Sequence, residues 1–110
     1  WVIERIKKIA NDFYKDYGKQ PKVGCLGLTF KPNIDDVRES PALQITKELV
    51  KENYELMISE PNLVKYKDLK FHNYKEVIER SDLVFILVAH KEFKLIKPDK
   101  KKIFDFCGIY

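Results

Sequence analysis

The sequence predicts an α/β fold, a three-layer domain with a parallel β-sheet flanked by helices. Short apolar runs alternate along the chain with amphipathic stretches, the pattern of strands joined by helical crossovers. The run at 83–89, Leu-Val-Phe-Ile-Leu-Val-Ala, is apolar throughout, as in a strand covered on both faces. With 110 residues, 45% of them hydrophobic and 35% charged, the chain can build one compact core. That balance excludes collagen-like, mucin-like and disordered classes.

Val2, Ile3, Ile6, Ile9, Ala10, Phe13, Tyr14 and Tyr17 recur in steps of three and four. They predict a helix over 2–17 with one dry face, which should pack on the sheet or on a partner subunit. Gly18 is its stop, and Pro21 forbids continuation. A short buried strand follows at 23–28. Residues 29–39 carry Pro32, Asn33, Asp35 and Asp36 without a period and read as a charged loop. Ser40-Pro41 opens the next helix, a serine at the cap and a proline where its missing N–H costs nothing. That helix runs to about 52, with Asn53 as its end. Residues 54–58 form a second strand, 59–62 a turn and 63–70 an irregular connection. Asn73, with Glu76 three residues on, resembles a variant capping box for a helix at 74–80. The long apolar strand at 83–89, a brief helix near 91–94 and a last strand at 103–106 complete the order. Crossovers should be right-handed, with ligands at the carboxyl ends of the strands where strand order reverses. The residues just after 28, 58, 89 and 106 are therefore the ones to interrogate.

Lys and Arg total 21 against 17 Asp and Glu, a formal charge of +4. Residues 1–55 hold ten basic and nine acidic side chains, and 56–110 hold eleven and eight. So even a spread argues against a nucleic-acid interface, which concentrates positive charge. Lys100, Lys101 and Lys102 form the one dense run, a solvated edge or a contact for an anionic partner. Cys25 and Cys107 make neither a disulfide framework nor a metal knot, and both sit in or beside apolar runs as small hydrophobes. No stretch is long and apolar enough to span a membrane, and the start lacks a signal peptide's apolar region. A cytoplasmic setting is the simplest expectation. The chain opens on Trp1, which suggests a piece of a longer protein.

Lys31 and Arg38 place two cations between the first strand and the helix opening at Ser40, a suitable place to hold a phosphate or pyrophosphate. The bland alternative leaves Lys31 solvated and Arg38 paired with Asp35, Asp36 or Glu39. Gly24 and Gly27 lack the G-x-G-x-x-G spacing of a dinucleotide fingerprint, and close packing or turn geometry explains them at least as well. Asp35 and Asp36 are adjacent, so an extended segment would point them apart. His72 and His90 are isolated and read as surface or cap residues, with ligand contact as the alternative for His90. No metal-ligand spacing and no nucleophile–histidine arrangement stands out.

The string Gly-Leu-Thr-Phe-Lys-Pro-Asn-Ile-Asp-Asp-Val-Arg-Glu-Ser-Pro-Ala at 27–42 resembles the signature segment of the C-terminal domain of nucleotide-sugar dehydrogenases. The turn Ser59-Glu60-Pro61-Asn62, the Ser81-Asp82 approach to the long strand and His90-Lys-Glu-Phe93 extend the likeness over nearly everything after about residue 20. Glu60-Pro61-Asn62 and the spacing from His90 to Phe93 look most like the members acting on UDP-N-acetyl-D-mannosamine. Those acting on UDP-glucose or GDP-mannose are the alternative, and a non-enzymatic flavodoxin-like or signalling module is the alternative outside the family.

The resemblance implies a Rossmann-like domain at 19–110 that binds a UDP-sugar, with 1–18 as the end of a preceding linker and dimerisation helix. It implies a four-electron oxidation of a sugar C6 alcohol to a carboxylate by two NAD, in a full-length homodimer. By match to the family's motif, Phe30 and Lys31 contact the substrate, and Arg38 reaches the NAD held by the N-terminal NAD-binding domain. The family's nucleophilic cysteine lies upstream, so neither Cys25 nor Cys107 inherits it. No catalytic residue is therefore assigned to this chain, and by itself it should be inactive. A substrate-binding arginine usually follows the last strand, and none stands in Phe106-Cys-Gly-Ile-Tyr110.

Overall fold

Strands β1 (Lys22–Leu26), β2 (Glu55–Ser59), β3 (Leu83–Ile86) and β4 (Ile103–Asp105) form one parallel sheet in the order β2-β1-β3-β4. The computed structural model describes residues 2–29, 40–63, 66–67, 69–97, 99 and 102–107. Register sets Cys25 beside Ile58 on one side and Phe85 on the other, so side chains of one parity share a face.

That parity sorts the core into two layers. Val23, Cys25, Ile58, Leu83 and Phe85 meet Ile6 and Ala10 of helix α1 (Val2–Tyr17) and Leu49 of helix α2 (Pro41–Lys51). Leu26, Val84, Ile86 and Ile103 face the other way, onto Val77 of helix α3 (Tyr74–Arg80) and Phe93 of the 3₁₀ helix Lys91–Leu95. The predicted three layers are present, and α1 packs on the sheet. Phe85 anchors the first layer, with Phe104 at 5.5 Å and Phe106 at 5.8 Å between ring centroids. The crossover from β1 to β2 runs over one face and that from β2 to β3 runs back over the other. Because the two travel in opposite directions across the sheet, they share one hand.

Caps and stops follow the local chemistry. Ser40 Oγ accepts from Leu43 N at 3.1 Å, and Asn73 Oδ1 accepts from Lys75 N at 2.9 Å. Glu76 turns away from Asn73 to pair with His72 and Arg80, both at 3.2 Å. Gly18 and Asn53 end α1 and α2 in the left-handed region, at φ 69° and 65°.

β1 and β3 are shorter than the apolar runs that contain them. Gly27 takes φ 102° and ends β1 at Leu26, and a β-carbon there would lie 2.6 Å from Val88 Cβ. Leu87 N makes the last regular ladder bond to the Leu26 carbonyl at 2.8 Å, and Val88 N turns back onto the same carbonyl at 3.3 Å, so the ladder stops at Ile86. Gly24 has the other reason for lacking a side chain, since its β-carbon would fall 2.5 Å from Val77 Cγ1. Turn geometry and close packing therefore account for both glycines.

Candidate functional site

At the carboxyl ends of the strands, polar residues are buried together. Thr29 follows β1, Glu60 follows β2, and His90 follows β3; all three are buried. Glu60 is the hub. Its Oε1 accepts from Leu28 N at 2.7 Å, Thr29 N at 3.1 Å and His90 Nε2 at 2.9 Å. Its Oε2 accepts from Asn62 N at 2.9 Å. Burial works against the carboxylate's charge, but the hydrogen bonds from His90, Asn62 and Leu28 outweigh it and hold the carboxyl below its ordinary range. With Nε2 donating to Glu60, His90 Nδ1 accepts from Asn62 Nδ2 at 3.1 Å, and Thr29 Oγ1 lies 3.2 Å from Nε2.

His90 is therefore not a surface residue. It stands at the cap position of the 3₁₀ helix without a side-chain cap bond, and its ring is fully buried edge-on against Phe93. It looks isolated in the chain because its partners lie 30 and 61 residues away. Glu60, Asn62 and Thr29 are the site residues that side-chain type alone did not single out. The available signal was an acidic turn placed directly after a strand.

Ser40 closes the frame from the α2 side. Its hydroxyl lies 2.7 Å from the Leu28 carbonyl and 3.1 Å from that of Thr29, with its proton directed to them, while it caps α2. Thr29 and Ser40 are thus tied together where the chain leaves for 30–39 and returns. Phe30, Lys31 and Arg38, with Asp35 and Asp36, lie outside the described residues, as do Lys100 and Lys101.

Beside this network a crevice of about 240 Å³ is lined by Thr29, Pro41, Ala42, Leu87, Val88, Ala89 and Cys107. It opens between the exits of β1 and β3, where strand order reverses, and the positive N-terminal end of α2 forms one wall. Burial pushes the Cys107 thiol up to about 11, with the Asp105 carboxylate adding to it, and burial pushes Cys25 up to about 12 against a hydrogen bond to Thr46. Such thiols are poor nucleophiles. The β-positions of Gly24 and Gly27 are filled by Val77 and Val88, so close packing of the chain on itself accounts for the missing side chains. Among the described residues no group of His, Cys, Asp or Glu could hold a metal ion, and no helix is long and apolar enough to cross a membrane.

A parallel sheet, a crevice at its switch point and a helix N-terminus in the crevice wall define an α/β domain of the nucleotide-binding class. Its sequence is more specific than its fold. Residues 24–110 match the UDP-glucose/GDP-mannose dehydrogenase family, UDP binding domain, and the chain belongs to that family. It is 40% identical to the UDP-N-acetyl-D-mannosamine dehydrogenase of Campylobacter jejuni over 97% of this chain and 26% of that protein. The UDP-N-acetyl-mannosamine dehydrogenase of Staphylococcus aureus superposes with a TM-score of 0.79 at 31% identity, over 98% of this chain and 26% of the other. A ternary complex of GDP-mannose dehydrogenase from Pseudomonas aeruginosa gives 0.69 at 27% identity, over 93% and 28%. The chain thus spans about a quarter of the length of these relatives.

Proposed function

We propose that this chain is the nucleotide-sugar-binding part of an NAD-dependent dehydrogenase that oxidises the C6 alcohol of UDP-N-acetyl-D-mannosamine to the carboxylate. The observation that carries this reading is family membership over 24–110 in a domain whose crevice opens beside both ends of the 30–39 segment. In this reading residues 19–110 bind the UDP-sugar, and 1–18 end the linker helix of a cytoplasmic homodimer. Phe30 and Lys31 meet the substrate, both ligands being anionic, and Arg38 faces NAD on the N-terminal domain. NAD supplies the oxidant when bound there. This chain's part is to bind and orient the sugar nucleotide, and it contributes no nucleophile.

The test is NAD reduction by the full-length protein, with UDP-N-acetyl-D-mannosamine, UDP-glucose and GDP-mannose as separate substrates. We expect turnover on the first, two NADH per sugar, and none from the isolated chain. Lys31→Ala should lower kcat by about 10²–10³-fold if the ammonium meets developing charge. Arg38→Ala should mainly raise the KM for NAD. Unchanged turnover in Lys31→Ala, with stability intact, removes Lys31 from the active centre.

A further inference from the structure

A buried carboxylate needs a reason, because replacing a buried charged network with well-packed apolar side chains often leaves a protein as stable or more so. Glu60 is buried behind the crevice at the carboxyl ends of the strands, not in either apolar layer. Its four donors come from three separate chain segments: Leu28 and Thr29 after β1, Asn62 beyond β2, and His90 beyond β3. These are the exits of three neighbouring strands, spanning the place where strand order reverses. Among the described residues the hydrogen-bond partners of Glu60 are all donors, which specifies an ionised acid over an amide.

We propose that Glu60 and His90 are positioning residues for nucleotide-sugar binding, locking the exits of β1, β2 and β3 into one unit that fixes the crevice wall. The force passes through Thr29, which Glu60 holds by its N–H and which lines the crevice. Ser40 carries it on to the start of α2 by bridging the Leu28 and Thr29 carbonyls. Pro41 and Ala42, the next two residues, form the facing wall. Neither Glu60 nor His90 lines the crevice, so each acts on the ligand through its neighbours. The inference rests on the proposed binding of a sugar nucleotide in this crevice.

The experiment compares full-length wild type with Glu60→Gln, His90→Gln and His90→Leu, measuring kcat, the KM for UDP-N-acetyl-D-mannosamine, the KM for NAD and the thermal midpoint. Glu60→Gln keeps the shape but sets an amide N–H against a backbone or histidine donor. We expect it to raise the sugar-nucleotide KM by about 10-fold, the scale of one misplaced contact, with the KM for NAD unchanged. His90→Gln retains an N–H at the Nε2 position and should recover most of what His90→Leu loses. A merely structural role would lower kcat with the folded fraction and leave both KM values alone. That result overturns the proposal, as does equal damage from His90→Gln and His90→Leu. If Glu60→Gln does not fold, the two His90 variants decide by the same KM comparison. A wild type inactive on every nucleotide sugar refutes the underlying functional reading and this proposal with it. An active wild type with unmoved variant KM values refutes the positioning role alone.

Discussion

Gly27 should be the least replaceable glycine in the chain, and Gly18 provides the control. Both have positive φ, 102° and 69°, so an alanine at either is strained by about 1–2 kcal/mol. They differ in surroundings. A β-carbon at Gly18 meets nothing within 4 Å, whereas at Gly27 it would lie 2.6 Å from Val88 Cβ and 2.9 Å from Val88 N. The Val88 backbone cannot retreat freely, because Leu87 N and Val88 N are bonded to the Leu26 carbonyl. Overpacking of this kind adds about 1–3 kcal/mol, so Gly27→Ala should cost about 2–5 kcal/mol in total. Against a domain stability of about 5–15 kcal/mol that is a large fraction. Urea unfolding of both variants checks it. With m of about 1–3 kcal/mol per molar, Gly18→Ala should lower the midpoint by roughly 1 M and Gly27→Ala by clearly more. Equal midpoints for the two variants would show that Val88 yields without cost, and the close-approach reasoning would be wrong.

Two further outcomes follow from the titrating groups. The folded-state pKa of Glu60 is lowered, so its contribution is complete above the unfolded value of about 4.3 and is lost as pH falls through the folded value. The stability gap between wild type and Glu60→Gln, from urea unfolding, should therefore hold at neutral pH and shrink as pH falls below about 4.3; a constant gap would contradict the hydrogen-bonded carboxylate. With thiols at about 12 and about 11, Cys25 and Cys107 should react slowly with Ellman's reagent at pH 8 in the folded chain and rapidly after denaturation. Fast native labelling of either would place it in a more polar setting than the structure does.

The sheet was legible because its signals are local. The short apolar runs at Val23–Leu26 and Leu83–Ile86, the Ser40-Pro41 start and the Gly18 and Asn53 stops all act within a few residues. Strand lengths were not, because β3 ends for a reason sixty residues away, where Gly27 lets Val88 fold over the end of β1. Leu87 and Val88 remain apolar because they line the crevice, not because they continue the ladder. The Glu60–His90 pair was hidden for the same reason. A histidine whose partners come from two distant strand ends carries no spacing that a reading along the chain can detect. The residues just after the strands, which the sequence marks for scrutiny, include Thr29, Glu60, His90 and Cys107, and the first three form the buried polar network.

Volume alone would choose the other end of the sheet. A cavity of about 600 Å³, larger than the crevice, opens among Lys19, Lys22, Glu52, Glu55 and Asp82, where the strands begin. Its three carboxylates and two ammonium groups, with Lys7 paired to Glu52 at 3.1 Å, leave no excess of positive charge for a pyrophosphate. Lys19 is already committed, 3.9 Å from Asp82, and the helix end that lines this cavity is the negative C-terminal end of α2, represented by Glu52 and Asn53. At the opposite end α2 presents its positive N-terminus, and the buried Glu60 carboxylate is covered by four donors from the chain itself. Asp105 accepts from Cys107 N at 2.8 Å beside the crevice, so it is the α2 N-terminus, not the charge of the nearby side chains, that favours this end for an anionic ligand. At about 240 Å³ the crevice falls short of the roughly 300–1,000 Å³ of a small-molecule site. A nucleotide sugar seated there needs further wall. The buried clamp then has a clear purpose: a site assembled from several pieces is only as accurate as the one rigid edge they share.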